Sequence, residues 1–291
     1  MKPNPERPKH KLPKEEPNTA HVVKEVVGPD AESVALAWRF PGLASKDFEV
    51  LQVVSQVLYN GKAGLIDLDL NQQQKVLNSY GYPMGLADYS AFILGGLPKQ
   101  GQTLEEVKDL LLNEIKKLRA GEFDEKMLQA NINNFKLYEL QSMESNEGRA
   151  DIFVNSFING TNWEDEVTAI DRMAKLTKED IVAFADKYLK EDNYAVVYKK
   201  QGKDPNEKKM TKPEITPIVS NRDVASPFLT SIQENAVKPI EPVFLDFKKD
   251  MSQLTAKSDI PVLYKQNTTN DLFQLIYVFD MGNNNDKALG T

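Results

Sequence analysis

Two histidines, no cysteine and 43 acidic side chains are what this 291-residue chain offers for chemistry. Without cysteine there is no thiolate nucleophile, no thiolate metal site and no disulfide. His10 lies in a proline-rich stretch. His21 opens a β-branched run in which Glu25, four residues on, falls on the same face as an ordinary surface pair. The serines have no neighbouring histidine, so no nucleophilic triad is visible. Gly61-Lys62 lacks the G-x-x-x-x-G-K-[ST] frame and the leading strand of a phosphate loop. Asp67 and Asp69 stand two apart on a helical stretch, point to different faces and read as solvated carboxylates. Asn159-Gly160-Thr161 and Asn267-Thr268-Thr269 fit a glycosylation triplet that recurs by chance. None of these groups assembles a catalytic set.

Composition bounds the class. Hydrophobic residues make up 41% of the chain, enough for a core, and 36 basic against 43 acidic side chains leave a net charge of −7. An acidic balance argues against nucleic acid as partner, since neutralising phosphates needs a Lys/Arg-rich surface. The basic residues of 199–212 lie in a proline-containing segment and read as a solvated linker. No apolar run approaches the ~20 residues of a membrane span. The N-terminus runs into proline and charge rather than an apolar segment, unlike a signal peptide. The expectation is a soluble protein, cytoplasmic or periplasmic.

The stretch 57–117 organises the rest. A helix end runs into the Asn60–Gly64 turn and a short helix from Leu65 to Leu70. Two strands follow, at about 76–82 and 87–97, and then a long helix. Thr103 and Glu106 form a T-x-x-E capping box for that helix, and Gly121 ends it. Upstream, His21–Val27 and Glu32–Phe40 read as a strand pair across the Gly28-Pro29-Asp30 turn, and Ser45 as the cap of a buried helix. Downstream, Asp124, Asn162 and Thr177 are expected helix caps, with Phe123/Leu128 and Leu176/Ile181 as hydrophobic staples. Tyr194–Lys199 closes the block as a strand. Residues 1–20 hold five prolines and many charges and read as a tail. Residues 201–240 are proline-interrupted and read as a linker. New β material is expected at Pro261–Lys265 and Asp271–Met281, joined by the turn residues Asn267–Asn270.

The order of these elements across 21–120, the turn LYNGKAGLIDLDL (58–70) and the run VLYKQNTTNDLFQLIYVFDMGNNND (262–286) together resemble the pitrilysin/insulinase zinc metallopeptidases, the inverted zincins. The likeness spans nearly the whole chain from His21. It implies an α+β fold: a two-layer α/β sandwich whose mostly antiparallel sheet is covered by helices on one side. On it, residues 21–200 look like the family's non-catalytic second domain. Residues 1–20 would be a connector, 201–250 the linker between halves, and 251–291 the first strands of a following, truncated domain.

Family chemistry needs H-x-x-E-H on a helix, with two histidines on zinc and the glutamate working on the bound water. Neither His10 nor His21 begins such a run. The resemblance therefore implies no catalytic residue, no metal ligand and no cofactor in this chain, with zinc in the catalytic domain of a parent metalloendopeptidase. It also implies a role as a substrate-chamber domain, where a peptide adds to an exposed strand edge. The matching positions are Tyr80, Gly81, Tyr82, Gly95 and Gly96. Glycines would admit a peptide backbone and the tyrosines would stack on side chains. The alternative is a catalytically inactive structural or interaction subunit of the same fold. Implied partners are peptide substrates and the parent's catalytic domain, with no nucleic acid and no membrane span. The apolar face after 251 could pair two copies as a homodimer.

Overall fold

The computed structural model describes residues 13–203, 211–217 and 224–279. His10, the first twelve tail residues and the end of the run 271–281 lie outside the described residues. The chain divides into two compact units, Met1–Lys209 and Met210–Thr291.

The first unit is built on a five-stranded sheet of order β1-β5-β2-β4-β3. Its strands are β1 (Val22–Gly28), β2 (Ser33–Pro41), β3 (Asn78–Met84), β4 (Tyr89–Leu97) and β5 (Tyr194–Gln201). All neighbours are antiparallel except β1 and β5, which run parallel. Alternation along β2 decides the layering. Val34, Leu36, Trp38 and Phe40 are buried, while Ala35 and Ala37 between them are half-buried on the other face. The buried face packs on α1 (Lys46–Leu58), α2 (Leu104–Arg119) and α7 (Lys178–Tyr188). One side of the sheet is thus covered by helices, as expected. Large side chains fix the join: Phe40 lies 5.8 Å from Phe184 and 4.9 Å from Tyr188 between ring centroids. The Trp38 indole N–H donates to the Lys190 carbonyl at 3.1 Å, so a buried polar atom is satisfied.

The strand pair expected at the start does not form. β5 inserts between β1 and β2, pairing with both. The physical reason is composition. β5 buries Tyr194, Val196 and Tyr198, whereas β1 carries Lys24 and Glu25 and leaves its valines exposed, which suits an edge. β3 and β4 begin two residues later than the pattern suggested, because Val76 is drawn into the core ahead of the strand.

The helix caps come out as read from sequence. Ser45 Oγ accepts from the Asp47 N–H at 3.1 Å, and Thr103 and Glu106 make the reciprocal box. Thr177 and Asp180 make a second box. Asp124 is the exception: the cap of α3 (Lys126–Ser142) is Glu125, which makes no side-chain cap bond, and Asp124 one residue ahead accepts from the Lys126 N–H at 2.9 Å. α4 (Asn146–Asn159), α5 (Trp163–Val167, capped by Asn162) and α6 (Ala169–Met173) complete the layer. Gly121 has φ +70°, the left-handed conformation that suits glycine past a helix end.

The second unit holds α8 (Pro227–Gln233) and a two-stranded sheet of β6 (Ser252–Thr255) and β7 (Pro261–Tyr264). β7 is the expected strand at 261–265. Its partner, however, is β6 rather than the run from Asp271. The described part of that run, 271–279, forms no strand, and Phe273 and Val278 are about nine-tenths exposed. A strand needs a hydrogen-bonding neighbour, and among the described residues this run has none.

Candidate functional site

β3 is an edge of the sheet, and it carries Tyr80, Gly81 and Tyr82. Period-2 alternation puts Ser79 and Gly81 on the helix-covered face and Tyr80, Tyr82 and Met84 on the open one. The rings of Tyr80 and Tyr82 lie 6.1 Å apart, nearly parallel. Burial pushes the Tyr80 phenol above its usual value, and Tyr82 adds to that shift.

The five candidate positions are neighbours across β3 and β4 but lie on the two faces of the sheet. Tyr80 pairs with Gly95, Ser79 with Gly96 and Gly81 with Leu94 across β3 and β4. They do not have one environment. A Cβ on Gly95 would stand 2.4 Å from the Tyr80 ring, so this glycine is the seat of that ring. A Cβ on Gly96 would meet the Val107 methyl at 2.5 Å, so this glycine lets α2 approach the sheet. Gly81 alone lies on the edge strand.

The turn before β3 holds Asp67, expected to be a solvated carboxylate, and Asn71, which nothing in the sequence singled out. A π-helical turn, Asp67–Asn71, precedes β3. Asp67 is not solvated: only 4% of it is exposed, and its carboxylate accepts from the N–H groups of Asn60 at 2.9 Å and Gly64 at 3.0 Å. The expectation fails because these backbone donors face inward and need an acceptor. Asn60 Oδ1 in turn accepts from Lys62 and Ala63 N–H at 3.0 and 2.8 Å. Amides consumed in this way cannot cradle a phosphate, in keeping with the missing motif. Asn71 then reaches β3, with its side chain bonded to Ser79. A carboxylate beside a glycine turn was the available signal for Asp67. Nothing in the spacing pointed to Asn71.

Asp69, the other carboxylate, faces Lys117 at 2.6 Å, and Lys117 also reaches Glu114 at 2.9 Å. The Lys117 ammonium holds Asp69 below the usual aspartate value. Glu114, only 2% exposed, is pushed up by burial despite that same partner. This is an ion-pair cluster that ties the π turn to α2.

Among the described residues no three His, Cys, Asp or Glu side chains are grouped to hold a metal. His21 lies at the β1 edge, where it donates to the Glu191 carbonyl and packs 4.5 Å from the Tyr194 ring. One edge histidine, with no second imidazole among the described residues, does not make the nitrogen-rich donor set of a catalytic zinc. No helix among the described residues is long and apolar enough to cross a membrane.

Comparisons with known proteins match this architecture. Residues 1–135 match the family described as Peptidase M16 inactive domain. The chain is 28% identical over 199 residues to the zinc protease PqqE of Helicobacter pylori, covering 66% of this chain and 43% of that protein. The crystal structure of a protease from Helicobacter pylori superposes with a TM-score of 0.62 at 21% identity, over 68% of this chain and 49% of that one. A peptidase M16 inactive domain from Pseudomonas fluorescens superposes with a TM-score of 0.56 at 12% identity, over 69% of this chain and 48% of that one. The chain thus spans less than half the length of these relatives. At such identities the superpositions speak for the fold. Over residues 1–135 the chain is thus similar to the inactive domain of M16 peptidases, the family also known as pitrilysin/insulinase.

Proposed function

We propose that this chain supplies the substrate-chamber domain of a zinc-dependent metalloendopeptidase that degrades peptides, and that it holds an extended peptide along β3. The observation that carries this reading is the position of β3: an unpaired sheet edge with Tyr80 and Tyr82 on the open face and Gly81 between them. An extended chain adding there gains main-chain hydrogen bonds at the edge and side-chain contacts on the two rings. Gly95 and Gly96 act from behind, one seating Tyr80 and the other admitting α2. Zinc and hydrolysis belong to a catalytic domain of the parent protein. Residues 21–200 form the non-catalytic domain, 201–250 the linker between halves, and 251–291 the opening of a following domain.

The test uses the purified full chain and an unstructured peptide of about 20 residues, long enough to lie along a strand edge. Tyrosine and tryptophan fluorescence reads binding, and mass spectrometry reads cleavage. Saturable binding with the peptide intact is the expected result. Cleavage that a chelator abolishes would refute the non-catalytic assignment.

A second reading is a catalytically inactive structural or interaction subunit. The face of α4 favours it: Phe153, Val154, Phe157 and Ile158 are all exposed, Phe157 at 87%. Absence of peptide binding would select this reading.

A further inference from the structure

We propose that Arg39 and Tyr89 form a docking site for an extended acidic peptide, that the chain's own Glu15 and Glu16 fill it in cis, and that displacing this segment opens the cavity beneath to such a peptide in trans. The site is separate from the β3 edge, since no β3 residue lines the cavity.

Residues 13–19 have no regular secondary structure, yet side chains of the sheet hold them. Arg39 stands between the buried Trp38 and Phe40, so it projects from the opposite face of β2. Its guanidinium forks over two groups of the tail. Nη1 donates to the Glu15 carboxylate at 3.2 Å, and Nη2 donates to the Glu16 carbonyl. Tyr89, the first residue of β4, accepts the Glu15 N–H on its hydroxyl at 2.8 Å. The Arg39 guanidinium lies 5.1 Å from the Tyr89 ring centroid. A planar fork stacked on a ring is oriented before any ligand arrives.

The tail answers with one N–H, one carbonyl and one carboxylate. Any extended segment bearing Glu presents the same set, so these contacts read a class of peptide rather than one sequence. Glu16 precedes Pro17, which biases it to the extended backbone that offers its carbonyl to Arg39.

Beneath the tail lies a cavity of about 1060 Å³. On the body side, among the described residues, Arg39, Lys187 and Lys190 line it together with Asp88 and Asp192. The balance there is positive in a chain whose net charge is −7, which favours an anionic ligand. Tyr89 and Tyr188 give the lining apolar area. Asn193 lines it too. Its Nδ2 donates to the Tyr188 carbonyl at 3.0 Å, but its Oδ1 is buried with no partner among the described residues. A buried acceptor without a donor is uncommon, and a peptide N–H entering the cavity supplies one. The matching ligand is an extended peptide with a carboxylate for Arg39 and an apolar neighbour for the tyrosines.

The two occupants compete. Apparent affinity in trans therefore scales with the fraction of chains whose tail is released.

The experiment titrates a fluorescein-labelled peptide of sequence PKEEPNTA, which is residues 13–20, into the full chain. Anisotropy reads binding, and amide NMR follows Glu15 of the protein. Wild type should bind weakly, with the Glu15 amide moving as peptide takes its Tyr89 partner. Glu15→Lys repels Arg39 and frees the tail, so it should bind roughly fivefold tighter, the upper range for one partly exposed ion pair. Arg39→Gln should abolish binding. Tyr89→Phe keeps the ring and loses the hydroxyl, and should weaken binding by roughly fivefold in the Glu15→Lys chain. Equal affinity of wild type and Glu15→Lys would overturn the competition. A Glu15 amide that bound peptide leaves unmoved would place the peptide elsewhere and overturn the site. Absence of binding to Glu15→Lys would do the same, and none of these three outcomes depends on the Arg39 variant folding. The β3 edge lies outside the cavity and stands whichever way this test falls.

Discussion

Asp67 and Asp69 show how far one residue's surroundings can depart from its local pattern. Two residues apart on a helical turn, they differ in burial, partner and role. Asp67 satisfies inward-facing amides, and Asp69 meets a lysine from α2. The Asp69 pair has a pH signature. Because Lys117 lowers the Asp69 pKa in the folded state, the pair stabilises the protein above the ordinary aspartate range. That stabilisation disappears as pH falls through the lowered folded value. The melting-temperature gap between wild type and Asp69→Asn should therefore be widest near neutrality and close on acidification. A gap that stays constant with pH would refute the pairing. At Gly96 the constraint is steric. Gly96→Ala places a methyl against Val107 and is expected to cost about 1–3 kcal/mol in urea unfolding, the range for overpacking.

At the scale of elements, α2 and α4 make opposite cases. α2 buries Leu104, Val107, Leu111, Ile115 and Leu118 and begins with a complete capping box. Thr103→Ala removes one arm of that box and should lower stability by about 1 kcal/mol, read in the same unfolding experiment. α4 buries only Ser156 and leaves two phenylalanines in solvent, although Phe153 stacks on Trp163 at 4.4 Å. Phe157→Ser should leave the unfolding midpoint within about 0.5 kcal/mol of wild type. If α4 is an interaction face, the same change should reduce self-association in size-exclusion chromatography. An unchanged elution profile would count against that role. β1 and β5 belong to this scale too. The β1–β5 pair is parallel and joins the first strand of the unit to its last, a contact no local pattern announces.

At the scale of the molecule, the sequence that runs from the first compact unit into the second is rich in proline and charge. Limited proteolysis should cut first between 203 and 224. The cut should leave the main thermal transition of the first unit where it was. A large fall in that transition would mean the units depend on each other for stability.

What the sequence determined by itself was local or periodic. Caps at Ser45, Thr103, Asn162 and Thr177 are chemistry between residues two or three apart, and they fold as read. The alternation in SVALAWRF fixed which face of β2 is buried, and the missing H-x-x-E-H was plain from the letters. The two-layer architecture followed from the order of elements and the family likeness. Tertiary structure alone decided which strands are neighbours, because pairing depends on competition between distant segments rather than on any one of them. It placed β5 inside the sheet, made β3 an edge, and left 271–279 without a partner. It also decided the fate of single polar groups. Asp67 is buried and Asn71 bound to Ser79 because unsatisfied backbone groups need partners that sequence spacing does not reveal.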